Sequence, residues 1–337
     1  MSACPKTIEG QPQPERSEEI APTSQSINPQ SLKSTIFIFT DVLMSADILL
    51  TGATGFTGSF VCKELLKRGL SFDCLVRPSS GTAQLQTLGL NVVEGDLDDL
   101  ESLRRVFPGY LHLINVASIG FGAGPSLVKA CQESGIQRAI FVSTTAIFTQ
   151  LNAKSKAVRQ AAEAAIRESH LDYTILRPTM IYGTPRDRNM VRLLRLIQRS
   201  PIIPVPGSGK SLQQPVHVED VAWAIAEVLN QPKTYRREYN ISGGQVLSYN
   251  DVVQIASHAL GKQPTLLHVP VNLSLSLIQR ANTLGVKLPV SREQVLRLNE
   301  DKVFDHSAAK EDFNYSPRTF TEGIAQEVAL LETNKKH

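Results

Sequence analysis

Cysteine is scarce in this chain: the four present, Cys4, Cys62, Cys74 and Cys131, form no CxxC pair and lie in no histidine-rich stretch. That pattern excludes a recognisable zinc or other metal site and a disulfide framework, and it fits a reducing, cytoplasmic setting. No uninterrupted apolar run reaches the roughly 18 residues that a membrane-spanning helix requires, so no transmembrane segment is expected. Charge of one sign is also lacking. A net charge of +3 over 337 residues is too small to make nucleic acid or an anionic membrane the main partner. No internal repeat interrupts the chain. What remains, 42% hydrophobic and 20% charged, suffices for one large α/β unit with a smaller appended lobe.

Residues 1–46 are rich in Pro, Gln, Ser and Glu and have little apolar periodicity before Ile36, so they are expected to be disordered. Acids (Glu9, Glu15, Glu18, Glu19, Asp41) outnumber bases (Lys6, Arg16, Lys33), and no basic stretch precedes an apolar one. A signal or transit peptide is therefore not indicated. Met44 stands just before the first expected strand, where a compact domain of this kind can begin. The extension is expected to be dispensable, or even a misassigned start.

From Asp47 onward, short β-rich apolar runs alternate with helical patterns, the rhythm of a parallel sheet wound with helices. Strands are predicted at Ile48–Thr51, Phe72–Val76, Asn91–Glu94, Leu111–Val116, Ala139–Ser143 and Tyr173–Arg177. Helices are predicted at Phe56–Arg68, Leu100–Phe107, Pro125–Glu133 and Lys154–Ser169. After Gly183 come a basic helix (Asn189–Arg199), a Pro/Gly loop to Gly209, a strand at Gln214–His217, and helices at Asp220–Leu229, Tyr249–Leu260, Leu273–Leu284 and Thr321–Leu331. The expected architecture is a Rossmann-type doubly wound α/β domain, residues 47–183 plus about 214–243. Residues 184–213 and 244–337 would form a smaller, mainly helical substrate lobe.

The segment ILLTGATGFTGSFVCKELLKRG places Gly52, Gly55 and Gly58 between a buried strand and an amphipathic helix. Gly52 permits the tight turn, Gly55 lets backbone N–H groups approach a pyrophosphate, and Gly58 lets the helix pack closely with its N-terminus facing the anion. A dinucleotide is the expected ligand. About 20 residues further on, where NAD would meet an acidic residue, the chain has Arg77 followed by Ser79 and Ser80. Arg77 suits a 2′-phosphate, so NADP is favoured over NAD. Asp96, in the GDL after the third strand, is placed either to accept from an adenine amino group or to cap a turn.

In order along the chain, TGATGFTG, EGDL, FVSTTAIF, LRPTMIYG, QPVHVEDVA and YNISGG resemble the extended and atypical short-chain dehydrogenase/reductase superfamily, which includes nucleotide-sugar epimerase/dehydratase-like proteins. The resemblance implies cofactor contacts from Thr54, Phe56 and Thr57 in the turn, Leu97 beside Asp96, Ala117, Arg159 and Pro178. It also implies a Ser or Thr, a Tyr and a Lys at the reaction centre, the Tyr exchanging a proton with the substrate and the Lys lowering its pKa. The first survives as Thr144. No tyrosine lies between Tyr110 and Tyr173, however. Aligned on the AAE at Ala161–Glu163, the Tyr position falls on Ser155 and the Lys position on Arg159. Arg159 can hold a ribose hydroxyl but cannot replace a titrating phenol. Lys154 and Lys156 are alternative proton donors, although a lysine near a helix start is more simply a solvated charge. Tyr182 to Thr184 are implied to open the substrate pocket.

In RDRNMVRLLRLIQR, Arg188, Arg192, Arg195 and Arg199 share one stripe opposite Met190, Val191, Leu194 and Ile197. Arg188 and Arg192 are candidates for an anionic substrate group, against the simpler reading of a solvated face. His217 reads as a packed core residue and Asp220 as the cap of its helix. The apolar stretch HVPVNLSLSLIQRANTLGV is either lobe core or a docking face for a subunit, a peripheral membrane or a lipid-like substrate. The expected function is an NAD(P)-dependent oxidoreductase or epimerase-like enzyme acting on a small or nucleotide-linked carbonyl or hydroxyl substrate. A non-catalytic NAD(P)-binding redox sensor or accessory subunit is the alternative.

Overall fold

In the computed structural model, which describes residues 46–151, 154–285 and 290–333, the apolar runs become strands buried on both faces. The expectations for the N-terminal extension, including Cys4 and Met44, lie outside the described residues. Every residue of β1 (Ile48–Thr51) and of β5 (Arg138–Val142) is buried. Continuous rather than alternating burial is what a sheet covered by helices on both sides demands. The chain proceeds through α1 (Phe56–Lys67), β2 (Asp73–Val76), α2 (Ala83–Thr87), β3 (Asn91–Glu94), α3 (Leu100–Val106), β4 (His112–Asn115) and α4 (Gly124–Ser134). After β5 come α5 (Lys154–Glu168), β6 (Asp172–Pro178), β7 (Ile181–Tyr182), α6 (Met190–Arg199), β8 (Ile202–Pro206), β9 (Leu212–Gln213), β10 (Val216–His217) and α7 (Val218–Glu227). The remainder is β11 (Arg237–Ile241), β12 (Leu247–Ser248), α8 (Tyr249–Ala259), β13 (Thr265–Val269), α9 (Val271–Thr283), α10 (Arg292–Leu298), α11 (Ser307–Phe313) and α12 (Phe320–Thr333).

The main sheet has seven strands in the order β11-β6-β5-β4-β1-β2-β3, all parallel. Winding runs outward from β1 to β3, then restarts at β4 on the other side of β1. The carboxyl ends of β1 and β4 therefore diverge into the crevice where such sheets bind ligands. Thr51 Oγ1 donates to Asn115 Oδ1 at 2.7 Å and Asn115 Nδ2 to the Ala117 carbonyl at 3.0 Å, which ties the two strand ends together.

Four strand pairings were not anticipated, the short ones of β7 with β10 and β9 with β12 and two longer ones. β11 carries only two buried apolar residues, Tyr239 and Ile241, among polar ones, because it is the sheet's edge and pairs with β6 alone. β8 contains Pro204 and Pro206, which read as a loop, yet it pairs in parallel with β13. This small sheet has only two strands, so each keeps a free edge on which a missing N–H is tolerated. The region after Gly183 thus combines helices with short sheets. One buried cluster unites Tyr182, Met190, Val191, Leu194, Ile197, Val252, Phe320, Ile324 and Leu331. Ala309, Phe313 and Tyr315 instead join the cluster that covers one face of the main sheet.

Candidate functional site

The turn between β1 and α1 is shaped by close backbone approach. Gly52 has φ +76°, and a Cβ there would lie 2.6 Å from the Ala117 nitrogen. A Cβ on Gly58 would lie 2.0 Å from the Gly52 carbonyl oxygen, so only glycine lets α1 start this close to the turn. The Gly55 N–H donates to the Gly52 carbonyl at 3.0 Å. Gly55 is the N-cap of α1; no side chain caps the helix and its first turn contains no acid. The positive end of the helix is left for an external anion. Thr54 and Gly55 are exposed, while Phe56 and Thr57 are half-buried. These residues fit a dinucleotide pyrophosphate.

Arg77 is exposed at the end of β2, and its carbonyl accepts from the Ser80 N–H at 2.8 Å in a tight turn. Beside it, Asp96 Oδ1 accepts from the Asp98 N–H at 3.1 Å, the local turn bond expected of a loop aspartate. Its carboxylate keeps capacity for one more partner. Leu97 packs partly buried against the cluster on the opposite face of the sheet.

Next to the turn lies a cavity of about 350 Å³ lined by Thr57, Val116, Ser118, Ile119, Val142, Ser143, Thr144, Ala146, Ser155, Arg159, Ile181 and Arg297. The three positions matched to the Ser/Thr-Tyr-Lys set, Thr144, Ser155 and Arg159, are brought together here. Thr144 Oγ1 accepts from the Ala146 N–H at 3.2 Å, which leaves its own O–H free to donate. The neighbouring Ser143 is buried and its Oγ has no hydrogen-bond partner. α5 is fixed in rotation by Glu163, which is 1% exposed and receives Arg177 Nε from β6 at 3.0 Å. Phe148 stacks on the same guanidinium. Arg159 and Ser155 lie one and two turns before Glu163, so the ion pair that joins the AAE and LRP segments also aims them. Breaking such a buried pair is costly because it strands a charge. The Arg159 guanidinium sits 2.7 Å from where a Cβ on Gly120 would stand, and its Nη1 donates to the Ser155 carbonyl at 3.3 Å. Lys156 is spent elsewhere, donating to the Thr149 carbonyl at 2.6 Å. It is thereby removed as a proton donor to this cavity; the Lys154 side chain lies outside the described residues.

Several expected residues fall elsewhere. Tyr182 does not open the pocket. It is 1% exposed, packed edge-on to His217 and against Phe320, and burial raises its pKa far above that of a free phenol. Its strand neighbour Ile181 faces the cavity instead, as alternation along a strand requires. Pro178 is buried in β6 and its carbonyl accepts from Thr145 Oγ1, so it supports the cavity wall without lining it. Arg188 and Arg192 are exposed and outside the cavity, with Met190, Val191, Leu194 and Ile197 buried on the other face. Asp220 is not the cap of α7: it binds Arg318, and His217 caps the helix through Nδ1. The sequence reading missed Ser118, Ser143 and Arg297. Ser143 was visible as the neighbour of Thr144, whereas Arg297 comes from a distant helix that no motif marks.

Among the described residues no cluster suited to a metal ion occurs, and no helix is long and apolar enough to cross a membrane. The parallel sheet, the open crevice and the uncapped glycine turn define a dinucleotide-binding α/β protein. The chain belongs to the NAD(P)H-binding family, whose model matches residues 52–232. It is 29% identical over 235 residues to ceramide reductase of Caulobacter vibrioides, covering 66% of this chain and 73% of that protein. It is 24% identical over 317 residues to 2-alkyl-3-oxoalkanoate reductase of Shewanella oneidensis, covering 79% and 81%. Among solved structures, UDP-glucose 4-epimerase of Thermus thermophilus in complex with NAD superimposes with a TM-score of 0.65 at 20% identity, covering 85% of this chain and 98% of that one. That likeness shows a shared fold.

Proposed function

We propose that the protein is an NADP-dependent oxidoreductase acting at a carbonyl or alcohol carbon. The observation that carries this reading is the cavity beside the glycine turn. It is polar, it is lined by Thr144, Ser143, Ser155 and Arg159, and no side chains fill it. A volume of about 350 Å³ falls within the usual span of small-molecule sites, roughly 300–1,000 Å³. The 2′-phosphate of NADP would meet Arg77, with Ser79 and Ser80 behind it, and the pyrophosphate would meet the start of α1.

The bound nicotinamide supplies or accepts the hydride. Thr144 donates a hydrogen bond to the substrate oxygen and orients it. Arg159, permanently charged and held beside Ser155, keeps the surroundings of that oxygen positive without giving up a proton. The proton reaches the product from water through the hydroxyls of Ser155 and Thr144, the division of labour left when a phenol is missing. Among the relatives, the 2-alkyl-3-oxoalkanoate reductase supports chemistry at a carbonyl carbon.

The test is an oxidation screen of NADPH and NADH against ketones, oxo acids, quinones and sugar nucleotides, with the wild type and Thr144→Val. Turnover is expected with one substrate class. It should fall about 100-fold in the variant, the range of a lost oxyanion donor, while cofactor affinity is unchanged. Tight NADP binding with no turnover in any class would transfer the assignment to a sensor.

A further inference from the structure

Two arginines line the cavity. Arg159 enters it from α5 and Arg297 from α10, and no carboxylate is among its lining residues. Arg297 Nη2 pairs with Glu293 Oε1 at 2.7 Å, but Glu293 is 60% exposed and is not among the lining residues. Arg297 Nε is buried and has no hydrogen-bond partner. Glu300 is committed elsewhere: it accepts from Thr149 Oγ1 at 2.7 Å and from the Gln150 N–H at 2.6 Å. Outside the lining, the Lys302 ammonium donates to the Arg297 carbonyl. Burial, and after it the Arg297 charge, lowers the Arg159 pKa. Two guanidinium groups that disfavour one another line one cavity with no carboxylate among the lining residues, and so lack only an acceptor of negative charge. Buried donors in folded proteins are nearly always paired, so the unpaired Nε leaves Arg297 with hydrogen-bonding capacity that its protein neighbours do not use.

We propose that Arg159 and Arg297 clamp an oxyanion carried by the substrate, a carboxylate or a phosphate, and so bring the reacting carbon of the same molecule beside Thr144. The proposal rests on reading this cavity as the substrate site. Guanidinium forks match both oxyanions in two-bond geometry, and the charge-assisted bonds would neutralise the repulsion between the arginines. The substrate class is then an acidic carbonyl or alcohol compound, not a neutral one. The cavity is too small to enclose a nucleotide sugar, so a nucleotide-linked substrate would leave its base outside.

The clamp is tested on the full chain by calorimetric titration with inorganic phosphate and with malonate, with and without saturating NADP. The wild type should bind at least one probe, more weakly as salt rises. Arg297→Gln should weaken that binding about tenfold or more, with partial recovery in Arg297→Lys. NADP affinity within twofold of wild type shows that both variants are folded. In the kinetic arm, a 3-oxo acid is compared with its methyl ester and with a UDP-sugar. Loss of turnover on esterification assigns the oxyanion to a carboxylate, and turnover of the UDP-sugar alone assigns it to a phosphate. Equal probe binding by wild type and Arg297→Gln, no binding of either probe, or a parallel loss of NADP affinity would each overturn the clamp, the last because the arginines would then serve the cofactor. The binding arm needs no turnover. A silent protein with an intact clamp therefore refutes the hydride-transfer reading alone.

Discussion

The glycine turn and the cavity it faces are neighbours built on different principles. In the turn the fit lies in the backbone: three positions where a Cβ collides with another strand, with a turn carbonyl or with the path of an anion. In the cavity the fit lies in side-chain chemistry, where Thr144, Ser155 and Arg159 occupy one wall although the phenol usual at this reaction centre is missing. The difference teaches that backbone sterics admit almost no substitute, whereas the side chains of a cavity wall can be exchanged without disturbing the sheet beneath. Binding and chemistry are thus separable here, and each can be broken alone.

The largest effect is expected from Gly58→Ala, whose Cβ would lie 2.0 Å from the Gly52 oxygen. NADP affinity measured by cofactor fluorescence should fall about 100-fold, roughly 3 kcal/mol. Gly55→Ala meets the same oxygen only at 3.1 Å and should cost less than about tenfold. Equal losses would show that the turn adapts as freely as the cavity does.

The second test concerns the lobe. Glu327 at α12 is fully buried and pushed up to about 9, first by burial and then by Asp187. Glu327 Oε1 and Asp187 Oδ2 both lack partners, as expected where a single proton must serve both carboxyl groups. The folded state keeps this proton, whereas an unfolded glutamic acid loses it near 4.5. Stability from this group is therefore complete below about 4.5 and declines as pH rises towards about 9, by at most roughly 1.4 kcal/mol per unit. Urea unfolding of Glu327→Gln should show that slope flattened and a gain of a few kcal/mol at pH 8.5. An unchanged slope would mean that the acids of the lobe carry no buried proton.

A smaller effect is expected at the adenosine end. Arg77→Gln should lower the preference for NADP over NAD about tenfold, roughly 1.4 kcal/mol, while leaving NAD affinity unchanged. Parallel titrations with both cofactors check it. Equal losses for the two would remove Arg77 from the 2′-phosphate and make its exposed guanidinium a general surface charge.

Six of the seven strands of the main sheet were legible because each is a short apolar run ended by turn residues. The seventh, β11, was not, since an edge strand buries only part of its length and REYNI looks polar. The glycine turn was legible in full, because its residue types are dictated locally. The cavity was legible only where a motif reached it: Thr144 and Arg159 came from alignment on neighbouring segments. Arg297 is contributed by a helix about 140 residues away, and nothing local in SREQVLRLNEDK distinguishes it from a solvated arginine. Tyr182 was misplaced for the converse reason. Its motif is visible, but which of two adjacent strand residues faces the cavity depends on the pleat.

The smallest effect separates a conspicuous charge pattern from a functional one. Arg188 and Arg192 form the most obvious basic stripe in the sequence, yet both are exposed and neither lines the cavity. An exposed guanidinium is already solvated by water, so reversing it changes little beyond long-range potential, which salt screens within about 10 Å. Arg297, unremarkable in sequence, is the one with a buried donor left over. Arg188→Glu combined with Arg192→Glu should therefore change phosphate, malonate and NADP affinity by less than about twofold at physiological salt, against the tenfold expected for Arg297→Gln. Calorimetry on the double variant checks this. A loss that matches or exceeds that of Arg297→Gln would move the anion site from the cavity to the face of α6, and with it the boundary between binding and chemistry drawn above.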